Sequence, residues 1–503
     1  MPVTRLQTGS VIDGFLIGDA VHKGGMSRLW SVTRPDETVP MLMKIPILNE
    51  GEDPAAIVSF EMEQMILPRL KGPHVPRFVA NGDFATQPYI VMERITGATL
   101  LPSLKALPLP AEEVARLGAG IAQALDALHQ QKLVHLDLKP SNIMFRPTGE
   151  VVLIDFGLSR HQELPDLMAE EFRLPYGTAP YMAPEQVLGV RNDPRSDIFA
   201  LGVLMYFFAT GERPFGDPQT LKGLKKRLWR DPPPPRQLNP ALPEWFQEIV
   251  LGCLEVHASR RPQTAAQLAF KLQNPSQVTL TQRARKLKQD SFFTVLKRKS
   301  EPASVLIDRP TSVALSASSA PIIAVAVDLD EASPELSGSI RQTASHLLSL
   351  APDARLACLN VLKLARVGLD ASLDDEGNNK HLMRLVRLKD WAHPLGLAPG
   401  KITFHVLEEV DPAEAILEFT RFNNIDHVVM GARANTTMRK ILGSVSGKVA
   451  AEAPCSVTVV RKRGLDNEMQ ARVVAAVEKL KRDHSPPDLV STDLASTDTT
   501  PPN

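Results

Sequence analysis

Asp137, Lys139, Asn142 and Asp155 are the residues of this chain whose types and spacing could do chemistry together. The first three lie in Val134-His135-Leu136-Asp137-Leu138-Lys139-Pro140-Ser141-Asn142. Asp155 follows the apolar run Val151-Val152-Leu153-Ile154 and precedes Phe156-Gly157. Transfer of a nucleotide γ-phosphoryl group passes through a loose transition state, so catalysis comes from positioning the acceptor and neutralising charge on phosphate oxygens. Asp137 can accept a hydrogen bond from an acceptor hydroxyl and aim it, a task in which position matters more than basicity. Asn142 and Asp155 are hard oxygen donors that suit Mg²⁺ shared with phosphates. Lys139 can reach the transferring phosphate as a mobile point charge.

Each piece alone has a bland explanation. Asp-Phe-Gly is more often a turn that ends a strand, and a lone His-x-Asp is usually incidental. Their order carries the signal: His-x-Asp-Leu-x-x-x-Asn, then Asp155-Phe156-Gly157, then Ala183-Pro184-Glu185. On these motifs residues 1–275 resemble the eukaryotic-like, bacterial-type Ser/Thr protein kinases. The resemblance implies an α+β bilobal protein kinase fold, ATP with Mg²⁺ (or Mn²⁺) as cofactors, and protein Ser/Thr hydroxyls as acceptors.

It also implies roles for further residues. Lys44, alone in the apolar strand Met41-Leu42-Met43-Lys44-Ile45, would contact the α/β-phosphates and pair with Glu63 on the next helix; Glu61 is the alternative, and an exposed edge lysine the bland reading. Gly24 and Gly25 would let the backbone approach phosphates without a Cβ in the way. Two other glycines of that family turn are replaced here by His22 and Ser27. Met92 would sit behind the adenine, with backbone groups of Glu93 and Ile95 at its edge. Thr178 would bond Asp137 and Lys139, Glu185 would pair with Arg261, and Asp197 would brace the catalytic loop.

Two departures bear on regulation. Leu136 stands where kinases switched by loop phosphorylation carry an Arg that pairs with the phosphate. Between Ser159 and Tyr176 there is no Ser, Thr or Tyr. Activity is therefore expected without activation-loop phosphorylation. His22, Ser27 and Leu136 also motivate the rival reading of a pseudokinase scaffold.

The elements that must position these residues follow from periodicity. Two strands flank the Gly turn within Val11–Thr33, a helix is expected over Ile57–Leu70, and an amphipathic helix over Ala111–Lys132 presents Val114, Leu117, Ile121, Leu125 and Leu128 to a core. The apolar run Ile198–Ala209 is shorter than the ~20 residues a membrane helix needs, and Gly202 interrupts it. It reads as a buried helix, and no membrane span is expected. The prolines of Asp231–Pro243 read as a connecting loop rather than a polyproline ligand.

At 503 residues the chain is too long for one ordinary core. Its formal net charge is zero, which gives no electrostatic case for nucleic acid. Only three cysteines occur, far apart, and with no signal-like N-terminus they fit reduced thiols in a cytoplasmic protein. Residues 276–318 collect Lys, Arg and Ser and read as a flexible basic linker. From 319 to 463 strands and helices alternate, which predicts a doubly wound α/β parallel sheet, with Asp328 at the crevice end of its first strand.

In this second region Val325-Ala326-Val327-Asp328, Val428-Val429-Met430-Gly431 and Leu442-Gly443-Ser444-Val445-Ser446 resemble the universal stress protein family. Members that bind ATP have Gly-x-x-Gly, nine residues, then Gly-Ser. Here the second glycine is Ala434 and the spacing is one residue shorter. Both changes hinder phosphate approach, so dimerisation or recruitment is favoured over nucleotide binding; a stress-ligand sensor that sets kinase activity is the other reading. Residues 464–503 are expected to be a charged helix and a disordered tail.

Overall fold

Apolar residues at alternate positions of the strands Phe15–Lys23 and Met41–Pro46 build the core of the first lobe. Strands β1 (Val11–Ile12), β2 (Phe15–Lys23), β3 (Ser27–Thr33), β4 (Met41–Pro46), β5 (Phe78–Gly82) and β6 (Tyr89–Glu93) form one antiparallel sheet in the order β1-β2-β3-β4-β6-β5. Phe15 and Ile17, Met41, Met43 and Ile45, and Tyr89 and Val91 meet in one buried cluster. Side chains in a strand alternate between faces, so Lys44, Ile90 and Met92 point to the other side, toward helix α1 (Pro54–Ile66). These features belong to a computed structural model that describes residues 7–24, 26–47, 54–84, 86–172, 174–300, 321–330, 334–364, 379–398, 400–432 and 443–461.

The second lobe is helical. In α2 (Ala111–Gln130) the expected stripe of Val114, Leu117, Ile121, Leu125 and Leu128 is buried. Short pairs β7 (Leu133–Val134) with β10 (Arg160–His161), and β8 (Ile143–Phe145) with β9 (Val151–Leu153), flank the catalytic loop. Helix α3 (Leu167–Glu171) follows, capped by the Asp166 side chain, and then α4 (Arg195–Thr210), α5 (Glu244–Cys253) and α6 (Ala265–Gln273). Helix α4 is buried nearly all round, as an apolar core helix should be. A Cβ on Gly202 would meet the Cys253 Cβ at 2.6 Å, so this glycine lets α4 and α5 touch. Among the described residues no helix is long and apolar enough to cross a membrane.

Residues 276–300, expected in a flexible linker, instead pack on the second lobe. Thr281 donates to Glu248 at 2.9 Å, and Gln247 donates to the carbonyls of Arg283, Ala284 and Lys286. Helix α7 (Phe292–Lys299) is pinned by Arg298 to Asp231 and Asp290, both at 3.0 Å. The basic residues that suggested solvation are largely ion-pair donors to acids of the lobe. The remainder of the linker, 301–318, and the tail from 464 lie outside the described residues.

The second domain is the expected parallel sheet. Strands β11 (Ile322–Ala326), β12 (Arg355–Lys363), β13 (Ile402–Glu409), β14 (His427–Gly431) and β15 (Ser456–Val460) run in the order β13-β12-β11-β14-β15. Ile323 and Val325 face one layer with α8 (Pro334–Leu350) and α9 (Lys380–Ala392). Ala324 and Leu359 face the other with α10 (Pro412–Phe422) and α11 (Ser444–Glu452). This domain docks on the first: Leu385 of α9 and Val406 of β13 are buried in the same apolar cluster as Ile57, Phe60 and Met168.

One ion pair ties the second lobe together. Glu185 Oε1 and Oε2 receive Arg261 Nη1 at 2.6 Å and Nη2 at 2.8 Å, and Ser196 donates to Oε1 at 2.7 Å. Arg261 also donates to the carbonyls of Glu255, Val256 and Arg195. Removing one partner of such a pair leaves a buried charge uncompensated. Arg261→Met is therefore expected to cost about 3 kcal/mol or more, read as a lower denaturant midpoint for the unfolding of this lobe.

Candidate active site

The site is assembled around the backbone of residues 135–137. Asp197, buried at the first turn of α4, accepts the N–H groups of His135 and Leu136, each at 2.8 Å, and His129 Nε2 at 2.9 Å. Leu136 has φ of 65°, in the left-handed region that a Cβ disfavours. Its carbonyl accepts from Gln186 Nε2 at 2.9 Å, so both ends of the strained residue are held. The consequence is a fixed Asp137, 5% exposed.

Every polar atom of the Asp137 side chain is oriented. Oδ1 accepts from the Thr178 hydroxyl at 2.7 Å and the Thr178 N–H at 3.0 Å. Oδ2 accepts from Lys139 Nζ at 2.6 Å and from Asn142 Nδ2 at 3.2 Å. Lys139 Nζ also reaches the Thr178 hydroxyl at 3.3 Å. The four residues Asp137, Lys139, Asn142 and Thr178 thus form one network.

A second network closes on it from the first lobe. Lys44 Nζ lies 2.5 Å from Glu63 Oε2 and 2.9 Å from Asp155 Oδ1. Burial works against the ammonium of Lys44, but the charges of Asp155 and Glu63 outweigh it and its pKa is raised. Asp155 is held below the usual carboxylate range by Lys44, with Lys139 and His135 adding to the effect against burial. Glu63, 2% exposed, is pushed upward by its own desolvation, which the shared Lys44 only partly offsets. Glu61, the alternative partner, takes no part in this network; it pairs with Lys389 of α9.

Asp155 adopts φ of 68°, and the Ile154 N–H donates to the Asn142 carbonyl at 3.0 Å, which joins the two oxygen donors through the backbone. The rings of Phe156 and His135 meet at 5.6 Å between centroids. Gly157 lies against α1: a Cβ there would stand 2.1 Å from Ser59 Oγ and 2.9 Å from the Ser59 carbonyl oxygen. The turn after Asp155 can therefore sit under the helix that carries Glu63 only as glycine.

Two oxygen donors do not make a protein-only metal cage, and among the described residues no group of three or more His, Cys, Asp or Glu side chains could hold one. They do fit Mg²⁺, which keeps waters and takes ligands from phosphates. Asp155 has 43% of its side chain exposed toward the cleft. Met92 is 9% exposed on β6, in register with Leu42 and Phe78. The Glu93 N–H donates to the Arg77 carbonyl at 2.8 Å, which removes that donor from any base contact, and its carboxylate is held by Arg146. Ile95 is buried. Gly24 donates its N–H to the Ser27 carbonyl at 2.9 Å across the turn, and Gly25 lies outside the described residues.

Residues 17–272 match the protein kinase domain family. The chain belongs to the protein kinase family. Residues 321–461 match the universal stress protein family, so the chain joins a kinase domain to a stress-protein domain. The kinase half is 31% identical over 261 residues to the serine/threonine-protein kinase PknB of Mycobacterium leprae, covering 51% of this chain and 42% of that protein. It is 30% identical to PknB of Mycobacterium tuberculosis over the same shares. The chain thus spans about two fifths of the length of these relatives.

Several residues of the kinase domain were not legible beforehand. Gln186 follows Ala183-Pro184-Glu185 directly, and the Ala183 N–H donates to its Oε1 at 2.8 Å. Arg227, 1% exposed, donates to the Ala179 carbonyl at 2.8 Å and to that of Met182, and stacks on Phe215. Burial pushes its pKa down to about 10. Arg227 stands in the basic run Lys225-Lys226-Arg227, where nothing in the sequence marks it as the buried one. In the stress-protein domain a cavity of about 880 Å³ opens at the strand ends, lined by Asp328, Asn360, Arg384, Gly431 and Ser444; Ala434 lies outside the described residues.

Gly157→Ala is expected to push Ser59 and α1 outward and lengthen the Lys44–Glu63 contact. Phosphoryl transfer to a generic substrate should fall by on the order of tenfold or more, and the melting temperature should drop as well, since overpacking of this kind costs about 1–3 kcal/mol.

Proposed function

We propose that this chain is an ATP-dependent protein kinase that transfers the γ-phosphoryl group to Ser and Thr hydroxyls of proteins. The observation that carries the reading is the closed pair of networks: Lys44 bridges Glu63 and Asp155, while Asp137 is oriented by Thr178, Lys139 and Asn142. A pseudokinase scaffold would not need a strained loop fixed from three sides. Bound magnesium would neutralise charge on the β- and γ-phosphates, and Asn142 and Asp155 would be its protein ligands.

The remaining steps belong to the chain. Lys44 would hold the α/β-phosphates. Met92 would back the adenine, with the Glu93 carbonyl and Ile95 backbone at its edge. Asp137 would accept the hydrogen bond of the acceptor hydroxyl and aim its oxygen at the γ-phosphorus. As that O–P bond forms, the bond from the γ-phosphorus to the bridging oxygen breaks, ADP carries away the electron pair, and the hydroxyl proton passes to Asp137. Lys139 would neutralise the transferring group. The three cysteines stand free, in keeping with the reducing, ATP-containing cytoplasm as its place of action.

The activation segment supports independence from phosphorylation. Asp166 already gathers Arg191 at 2.9 Å and Arg160 at 3.6 Å, as a phosphate would. Ser159 is buried and donates to the His135 carbonyl, and the Thr178 hydroxyl is held by Asp137. Neither is a free acceptor.

Asp137→Asn should lower radiolabel incorporation into a generic substrate by on the order of a thousandfold; incorporation that survives the change argues for another mechanism or a contaminant. Protein stripped of phosphate by a phosphatase, with the phosphatase then removed, should show unchanged initial rates. A lag that is abolished only by preincubation with ATP would count against phosphate independence.

A further inference from the structure

The stress-protein domain meets the kinase domain at the two elements that set the geometry of the site. Lys389 of α9 pairs with Glu61, two residues before Glu63 on α1, and its ammonium lies 4.8 Å from the Phe84 ring centre and 5.6 Å from that of Phe404. Arg355 of β12 grips Glu170 of α3 with Nη2 at 2.7 Å and Nη1 at 3.1 Å. His405 of β13 lies 3.1 Å from Glu170 and 2.9 Å from Glu171. Asn423 donates to the Glu170 carbonyl at 3.3 Å. His405 is fully buried, and Glu170 and Glu171 are at most 10% exposed.

We propose that Lys389, Arg355 and His405 are positioning residues for the kinase site: cations of the second domain that hold α1 with Glu63 facing Lys44, and hold the activation-segment helix α3 beneath it. The inference rests on the kinase reading above. Acids on α1 and α3 are matched by cations from another domain; the Arg355 and His405 contacts are shielded from water, where an orphaned partner is costly, and the Lys389 contact is half-buried. Burial opposes charge on His405, but Glu170 and Glu171 push it up to about 9, so it is a cation at neutral pH. Helices α1 and α3 also touch each other, so restraint on one is restraint on both. The Leu136 departure fits this arrangement: the loop carries its own acids, and their cations come from Arg160 and Arg191 and from the second domain, not from the residue before Asp137.

The test is a charge exchange in the full chain. Lys389→Glu and Glu61→Lys should each lower kcat by on the order of fivefold to tenfold, and the double variant should recover most of it. Lys389→Met, which keeps the packing on Phe84 and Phe404, should show a milder loss of the same kind. Arg355→Met should lower kcat, with partial rescue by Arg355→Lys. Hydrogen exchange of residues 54–66 and 167–171 is read in parallel and should quicken in the single variants and slow again in the exchange. Unchanged exchange in those helices, or a double variant no better than either single one, would overturn the proposal. Wild-type protein without Asp137-dependent turnover would overturn the kinase reading instead, and the exchange data would still decide whether these cations hold the two helices.

Discussion

The single contact on which the rest depends is that of Lys44 with two carboxylates from different parts of the chain. An ammonium this buried is tolerable only because Glu63 and Asp155 both reach it. Each of those acids then requires its own support. Glu63 needs α1 packed inward, which needs Gly157 to be free of a Cβ. Asp155 needs the left-handed turn that ends β9, which the catalytic loop holds through the Asn142 carbonyl. The closed cleft is thus the condition under which one buried lysine has enough countercharge.

The same logic orders the catalytic loop. A left-handed Leu136 is unfavourable by itself, of order 1–3 kcal/mol, and persists because Asp197 and Gln186 grip its two peptide groups. Asp197 stands on α4, the most deeply buried helix of the lobe, and the neighbouring segment is tied to the lobe by Glu185 and Arg261. Core packing is in this way transmitted to one carboxylate, Asp137, whose value lies in where its oxygens point.

How much of this could be read from the sequence depends on the length scale of each feature. The parallel sheet was legible because strands and helices alternate from 319 to 463, and that alternation is what the five parallel strands and their flanking helices show. Lys44 could be told from a solvated edge lysine only through the motifs around it, and Glu63 was separable from Glu61 only in the same way. What the sequence hid were long-range pairings between ordinary surface residue types. Arg298 with Asp231, Lys389 with Glu61 and Arg355 with Glu170 are each a common charge on a common helix or strand. Nothing in the local pattern of a charged residue says whether its partner is water or a carboxylate tens or hundreds of positions away, so the basic segment 276–300 read as solvated when it is docked.

The interdomain pairs also explain why a loop without Ser, Thr or Tyr can be ordered at all. A helix of five residues has no stability of its own, since nucleation costs more than so short a ladder returns. Helix α3 therefore exists because its surroundings hold it: Asp166 caps its start and binds Arg191, while Glu170 and Glu171 meet Arg355 and His405 at its end. In a kinase switched by phosphate the loop gains an anion and seeks cations already in the kinase domain. Here the anions are encoded and a second domain brings part of the countercharge, so the order of this helix is linked to the docking of that domain. The cavity of the second domain lies close to this linkage, because α9 carries Arg384 to its lining and Lys389 to α1. One rigid helix thus spans the distance from the crevice of the parallel sheet to the element that places Glu63.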